Sequence, residues 1–369
     1  MNILSPNAPP ATEGKSGLKL LAGLGTALII SLSLYTAETT PPVQATGTIE
    51  DKKPAAAPGP RAVEAANAFL DALDAQQRDK ALLEFTSTKK SVWSNFPVSF
   101  VQRNGVKIGD LTKDQREKAM NVVAAVLSKE GYQKVIDIMD GDQKLLDNPG
   151  KGKGGEKGPL FGKDLYYLAI FGTPSETRPW MVQFGGHHLG VNVTVIGKNF
   201  VLTPTHTGAQ PATFKRGDLE VRPLGRENDT AFKLMDSLNE KQRKQAIIGE
   251  RPFGDLLLGP GRDGKKIEPQ GIKGSELTAE QQALLMDVIG AWVNIVESDA
   301  ATARLAAIKE KIAATYFAWS GPTDKGKAAY FRIQGPTIVI EYAPQGGTEH
   351  IHTVIRNPED DYGAAYLKQ

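Results

Sequence analysis

The sequence holds five histidines, in three short stretches: His187-His188, His206, and His350-Ile351-His352. Imidazole exchanges its proton near neutral pH and is the commonest protein ligand for transition metals. Two imidazoles two residues apart on a strand project from one face and can converge on one ion. Extended, the last stretch puts His350, His352, Val354 and Arg356 on one face. Glu341, on the less apolar face of the preceding strand, offers a carboxylate as third ligand or general base. His188 offers a fourth ligand or a proton carrier, and Arg356 a guanidinium for an anionic group. The expected metal set is therefore His188, Glu341, His350 and His352, with Glu341, His188 and Arg356 as the catalytic groups. A divalent zinc, copper or iron ion suits such donors. His187 is in phase with apolar residues and reads as a buried, hydrogen-bonded histidine. His206, in Pro204-Thr205-His206-Thr207-Gly208, reads equally as a ligand or as part of a turn. Trp180 and Trp319 read as core, and Asp360-Asp361 as a solvated acidic turn before Gly363.

Composition excludes several alternatives. The 369 residues carry a net charge of only +2, with acids and bases interspersed. A dedicated nucleic-acid binder would show a basic stripe, so no nucleic-acid partner is expected. With no cysteine there is no disulfide, thiolate ligand or cysteine nucleophile. H-E-x-x-H, G-x-S-x-G, a P-loop and a strand-to-helix G-x-G-x-x-G are all absent.

The elements that would position these groups come in two rounds. From Arg61 the pattern is helical, with Ala62, Ala66, Phe69, Leu70 and Leu73 on one face. Arg103-Asn104-Gly105 carries a hairpin signal. Thr112 is a helix N-cap before a helix to about Ser128, followed by another from about Tyr132 to Leu146. A glycine- and lysine-rich loop at 148–158 separates these from strands at Leu165–Ile170, Trp180–Phe184, Leu189–Val195 and Phe200–Leu202. The pattern then restarts. Ala231-Phe232 corresponds to Ala68-Phe69, Gln242-Arg243 to Gln77-Arg78, Arg262-Asp263-Gly264 to Arg103-Asn104-Gly105, and Leu277-Thr278 to Leu111-Thr112. Gly186 falls against Gly335 or Pro336, Val191-Asn192-Val193 against Ile340-Glu341-Tyr342, and Thr205-His206-Thr207 against Ile351-His352-Thr353. The fold expected is α+β and internally duplicated. Each half is a helical layer followed by antiparallel β-strands, and the halves are related by a pseudo-twofold with the site between them.

At the N-terminus, Lys15 and Lys19 precede an uncharged apolar run from Leu20 to Tyr35. This predicts a signal peptide or a single N-terminal membrane anchor, a transmembrane element, over 1–37. A Pro/Ala/Thr-rich linker follows over 38–60, then a first repeat over 61–222 and a second over 223–369. The protein is expected to be exported: periplasmic, extracellular or membrane-anchored.

Three motifs carry a resemblance. They are Gly186-His187-His188-Leu189, the strand pair from Tyr330 to Tyr342 with Gly335-Pro336 at its turn, and Glu349-His350-Ile351-His352-Thr353-Val354-Ile355-Arg356 continuing through Asp361-Tyr362-Gly363. In these the chain resembles a bacterial family, often exported, catalogued as a domain of unknown function. The resemblance covers most of the chain from about residue 61. Two positions depart from the family pattern: Glu349 stands where it has Asn, and Asn357 where it has Asp.

The function expected is an exported metal-dependent enzyme, a hydrolase or an oxidoreductase, acting on a small-molecule or polar substrate. The alternative is a non-catalytic periplasmic or surface protein that binds a metal or polar ligand in the same cleft.

Overall fold

Four helix starts carry the same local device. Asp74 with Gln77, Thr112 with Gln115, Asn239 with Gln242 and Thr278 with Gln281 each form a reciprocal capping box, which satisfies amides that helix geometry leaves unpaired. In the computed structural model, which describes residues 57–148 and 160–367, the capping glutamines then bond each other in matching pairs. Gln115 donates to Gln77 at 2.8 Å, and Gln242 to Gln281 at 2.8 Å. Each pair ties a short helix to a long one, so a sequence-local cap also becomes a tertiary contact.

The helices are α1 (Pro58–Asp71), α2 (Ala75–Ala81), α3 (Lys113–Val126) and α4 (Lys129–Asp147) in the first round. In the second they are α5 (Gly225–Ser237), α6 (Glu240–Ala246), α7 (Ala279–Val293) and α8 (Ser298–Lys309). The strands of the first round are β1 (Leu82–Leu83), β2 (Val106–Lys107), β3 (Tyr167–Phe171), β4 (Trp180–Gly186), β5 (Leu189–Ile196), β6 (Asn199–Val201) and β7 (Thr205–Ala209). A separate hairpin, β8 (Phe214–Arg216) and β9 (Leu219–Val221), follows. The second round supplies β10 (Ile247–Gly249), β11 (Ile272–Lys273), β12 (Tyr316–Ser320), β13 (Tyr330–Gly335), β14 (Ile338–Pro344) and β15 (Ile351–Arg356).

Thirteen strands form one mostly antiparallel sheet, with a main path β1-β3-β4-β5-β7-β15-β14-β13-β12-β10. The pairing pattern runs twice. β1 lies parallel to β3 and β2 antiparallel to it, as β10 and β11 lie to β12. The rounds meet where β7 pairs β15, with Thr207 opposite Thr353 and His206 opposite Val354. Of the residues matched between the rounds, Thr207 and Thr353 face one another across the seam. The halves are not separate domains, since one sheet runs through both.

Register divides the sheet into two faces. Leu168, Val182, Val191, Val193, Phe331, Ile340 and Phe317 pack with the helices into the core. Thr207 and Thr353 bond across the seam at 2.7 Å, and Trp292 of α7 donates to Thr353 at 2.9 Å. The opposite face carries Gln183, Asn192, His206, His352, Arg356, Glu341 and Arg332, all buried. The segments between β1 and β2 and between β10 and β11 cover it: Lys90 accepts a bond from Gln183, and the amides of Leu257 and Leu258 donate to Glu341.

Several expectations are corrected. The helical stretch from Arg61 begins at Pro58 and divides at Asp74, where the capping box starts a new helix. Arg103-Asn104-Gly105 turns no hairpin; it leads into β2, whose partner is the distant β3. The equivalent of Gly105 is Gly271, not Gly264: at both, the φ angle is positive (92° and 94°) and a Cβ would sit 2.1 Å from a strand carbonyl, Leu168 or Phe317. The stretch at His206 is the strand β7 at the centre of the sheet. The transmembrane expectation is overturned: no helix among the described residues is long and apolar enough to cross a membrane. The apolar run at 20–35 and the loop at 149–158 lie outside the described residues.

Gly105→Ala and Gly271→Ala should each destabilise the protein by about 2–4 kcal/mol in urea unfolding, since each adds backbone strain to a steric clash. Gly264→Ala, with a positive φ but open space around it, should cost only about 1 kcal/mol.

Candidate metal centre

The hairpin between β4 and β5 turns on two residues, His187 and His188, between the paired Gly186 and Leu189. The matching hairpin between β13 and β14, closed by Gly335 and Ile338, turns on Pro336 and Thr337. Only the first round therefore puts imidazoles at this position. His188 is buried and holds a φ of 58°, the left-handed region where a side chain costs about 1–2 kcal/mol relative to the right-handed one. Its carbonyl accepts the amide of Gly208 at 2.7 Å, which pins the turn to β7. Gly208 also makes room for the ring: a Cβ there would lie 3.1–3.2 Å from His188 side-chain atoms.

This geometry delivers His188 to the start of β15. His188 Nε2 lies 2.8 Å from His350 Nε2, which lies 3.0 Å from His352 Nε2. The ligand atoms of the three residues all fall within 4.8 Å of one another. Each ring nitrogen holds either a proton or one in-plane lone pair. Because hydrogen bonds are directional, a single proton cannot serve both contacts of His350 well. A cation at the common focus takes a lone pair from each. Nitrogens sharing a zinc ion sit about 3.3 Å apart, close to the 2.8 and 3.0 Å that His350 Nε2 keeps from the other two.

The surroundings disfavour a charge on His188 and His350. Burial, followed by the neighbouring imidazoles, pushes His188 far below its usual range; burial and His352 bring His350 down to about 4. His352 Nδ1 lies 3.0 Å from Asp255 Oδ1. A proton on Nδ1, donated to the carboxylate, leaves Nε2 to bind; this is the carboxylate–histidine support common behind metal ligands. Burial raises the Asp255 carboxyl, but the bonds from His352 and the Leu256 amide outweigh it and hold it low. The Asn95 amide lies 3.1 Å from the same Nδ1. That amide is a donor and cannot bond a protonated Nδ1, so of the two neighbours only Asp255, from the second covering segment, supports the tautomer that leaves Nε2 free.

Asp142, His187 and His188 form a second close group, but it reads as a hydrogen-bonded dyad. His187 and His188 overlap face to face, with centroids 3.6 Å apart and planes 33° apart, so their in-plane lone pairs do not converge. His187 Nδ1 instead meets Asp142 Oδ1 at 2.6 Å. The expectation of a buried, hydrogen-bonded His187 matches this placement.

Other expected residues lie elsewhere. Glu341 stands in neither metal group. Its oxygens accept from the amides of Leu257 and Leu258 and from the Tyr330 hydroxyl, at 2.9, 2.8 and 2.7 Å. Arg356 is committed too: it donates to the carbonyls of Leu258 and Gly259 and to Asp263 and Asp361. Both residues hold the second covering segment on the sheet, the same service Gln183, itself bonded to Asn192, gives the first. Asp361 is thus a partner of Arg356 rather than a solvated turn residue. His206 is fully buried beside His352, centroids 5.6 Å apart, and neither ring nitrogen has a hydrogen-bond partner. Among the described hydrogen bonds, the side chains of Glu349 and Asn357 reach no imidazole; Asn357 accepts from the Glu359 amide.

Three supporting residues were missed from sequence. Asp142 had a signal: it continues the buried stripe Val135, Ile138, Met139 of α4, where a carboxylate has no reason to lie unless something pairs it. Asn95 and Asp255 sit in irregular segments whose periodicity carries no signal.

The family model described as "Protein of unknown function (DUF3500)" matches residues 55–364. The chain belongs to this family. No curated protein and no solved structure matches it.

Replacing Glu341 with Gln would set an amide donor against donors already present. Glu341→Gln should cost about 2–4 kcal/mol in urea unfolding while leaving metal stoichiometry, read by elemental analysis, unchanged. A variant that loses its metal while keeping its stability would return Glu341 to the ligand set.

Proposed function

We propose that the protein is an exported, metal-dependent enzyme whose His188, His350 and His352 hold one divalent cation. The observation that carries this is the convergence of three Nε2 atoms, with contacts of 2.8 and 3.0 Å, from two hairpins far apart in sequence. The lowered pKa of His188 and of His350, both caused first by burial, supports it, as does the carboxylate behind His352. The charged and then apolar N-terminal segment supports export.

An all-imidazole set suits zinc, copper or iron. Three protein ligands leave a position for substrate or water, which is the pattern of catalytic rather than structural sites. His350 is the least buried of the three, so that position faces the solvent side. When bound, the ion supplies Lewis acidity and an activated water, or a redox centre if it is copper or iron. The residues' part is to hold lone pairs at a fixed spacing. Asp255 orients His352 and adds negative charge close by, and Gly208, whose amide donates to the His188 carbonyl, fixes the turn. Hydrolysis and oxidation both fit these roles.

Protein purified without a histidine tag should contain about one equivalent of metal by elemental analysis. His188→Ala, His350→Ala and His352→Ala should each reduce it at least tenfold at fixed free metal, and Asp255→Asn by less. Metal-free wild-type protein, or full occupancy in all three alanine variants, would end this reading.

A further inference from the structure

The last helices of the two rounds are packed differently. In the first round the hairpin β8–β9 lies against α4: a Cβ on Gly141 would sit 3.5 Å from the Phe214 ring, and Arg216 donates to Asp137 and Asp140. In the second round α8 has only Ala301 and Ile308 buried among its twelve residues. Its Ala300, Ala303 and Ala307 line a cavity of about 600 Å³, within the range of small-molecule sites. From β6 come Phe200 and Val201, and Leu202, Val293 and Ile355 add to the apolar lining. Small side chains on the helix leave these residues without packing partners across the gap. An apolar occupant therefore gains dispersion contacts that the protein itself does not supply.

One cation is set into this lining. Arg304, half-buried on α8, donates to the Thr337 carbonyl and, among the described residues, pairs with no carboxylate. The acid whose charge it feels, Asp360, also lines the cavity but spends an oxygen on the Ala365 amide at 2.8 Å. Burial draws the Arg304 guanidinium below its usual range and lifts the Asp360 carboxyl. The other charged residues of the lining, Lys198 and Asp299, are exposed, opposite in sign and hydrated. Arg304 alone thus keeps N–H donors to spare at the apolar surface.

We propose that this cavity binds a long-chain monocarboxylate, with the alkyl chain between α8 and β6 and the head held by Arg304. The planar guanidinium fork matches a carboxylate with paired hydrogen bonds. Ile355 and His352 project from opposite faces of β15, so the site is separate from the metal centre and does not rest on it.

Hexanoate, octanoate and decanoate, each below its micellar concentration, are titrated calorimetrically into the full chain, with decyltrimethylammonium as the same tail on a cationic head. Burial of the tail should tighten carboxylate binding by up to about fourfold per added methylene. The cationic head should bind at least tenfold more weakly than decanoate. Arg304→Gln should weaken decanoate about tenfold and keep the dependence on tail length, whereas Ala303→Trp, which fills the cavity from an exposed helix position, should abolish binding. No binding in the wild type overturns the proposal. So does cationic binding as tight as that of decanoate, which would assign the head to Asp299 and Asp360. Decanoate binding untouched by both variants places the ligand elsewhere, and binding lost instead in His350→Ala places it on the metal; either result overturns the cavity assignment.

Discussion

The pairing of β7 with β15 is the constraint on which the rest depends. It closes two sheets into one, sets the register of everything outward from the seam, and places the start of β15 beside the turn between β4 and β5. His188 and His350 are 162 residues apart in the chain and 2.8 Å apart in space because of that register. A one-residue slip of β15 would carry His352 to the helix-packed face and bring Thr353 out. The pair Thr207–Thr353, with Trp292 donating into it, guards against the slip, since losing Thr353 would leave Thr207 and the Trp292 N–H unpaired in the apolar core.

The scaffold repeats, whereas the chemistry does not. Both rounds set two buried polar residues of the sheet against a polar residue of the covering segment: Gln183 and Asn192 with Asn104 in one, Arg332 and Glu341 with Gln270 in the other. The first set is neutral and the second carries charge. Both rounds also place an imidazole at the seam, His206 and His352. Yet only His352 meets an acid, and only the first hairpin turn holds histidines. An almost symmetric frame thus yields one lopsided centre, with three ligands drawn unequally from the two halves.

Much of the frame could be read from the sequence because its signals are local. The capping residues Thr112 and Thr278, the alternation along Leu189–Val195, and the matching order of the two rounds all act within a few residues. Three of the four expected metal ligands, His188, His350 and His352, do come together, because rare residue types in extended segments leave few places to go. Glu341 shows the limit. Alternation placed it on the correct face, but which neighbour its carboxylate meets depends on the path of the segment through Leu257 and Leu258, where glycine and proline erase periodicity. The same blindness hid Asp255 and Asn95. The assignment of Gly264 in place of Gly271 failed for a related reason. Composition cannot distinguish a glycine in open space from one pressed against a strand, and Gly271 is identified by a carbonyl 46 residues away in sequence, at Phe317.

Gly208 has a final implication. It lies opposite His352 in the β7–β15 pair, and the space its missing side chain leaves is closed by the Ile351 carbonyl, 2.8 Å from where a Cβ would sit, and by the His188 side chain. Two imidazoles from separate hairpins interlock through an absence. Truncating side chains one at a time to alanine charts a binding centre by subtraction, and here the revealing experiment is an addition. A single methyl at this position would wedge the two halves of the chelate apart without touching a donor atom, making a backbone position a determinant of affinity.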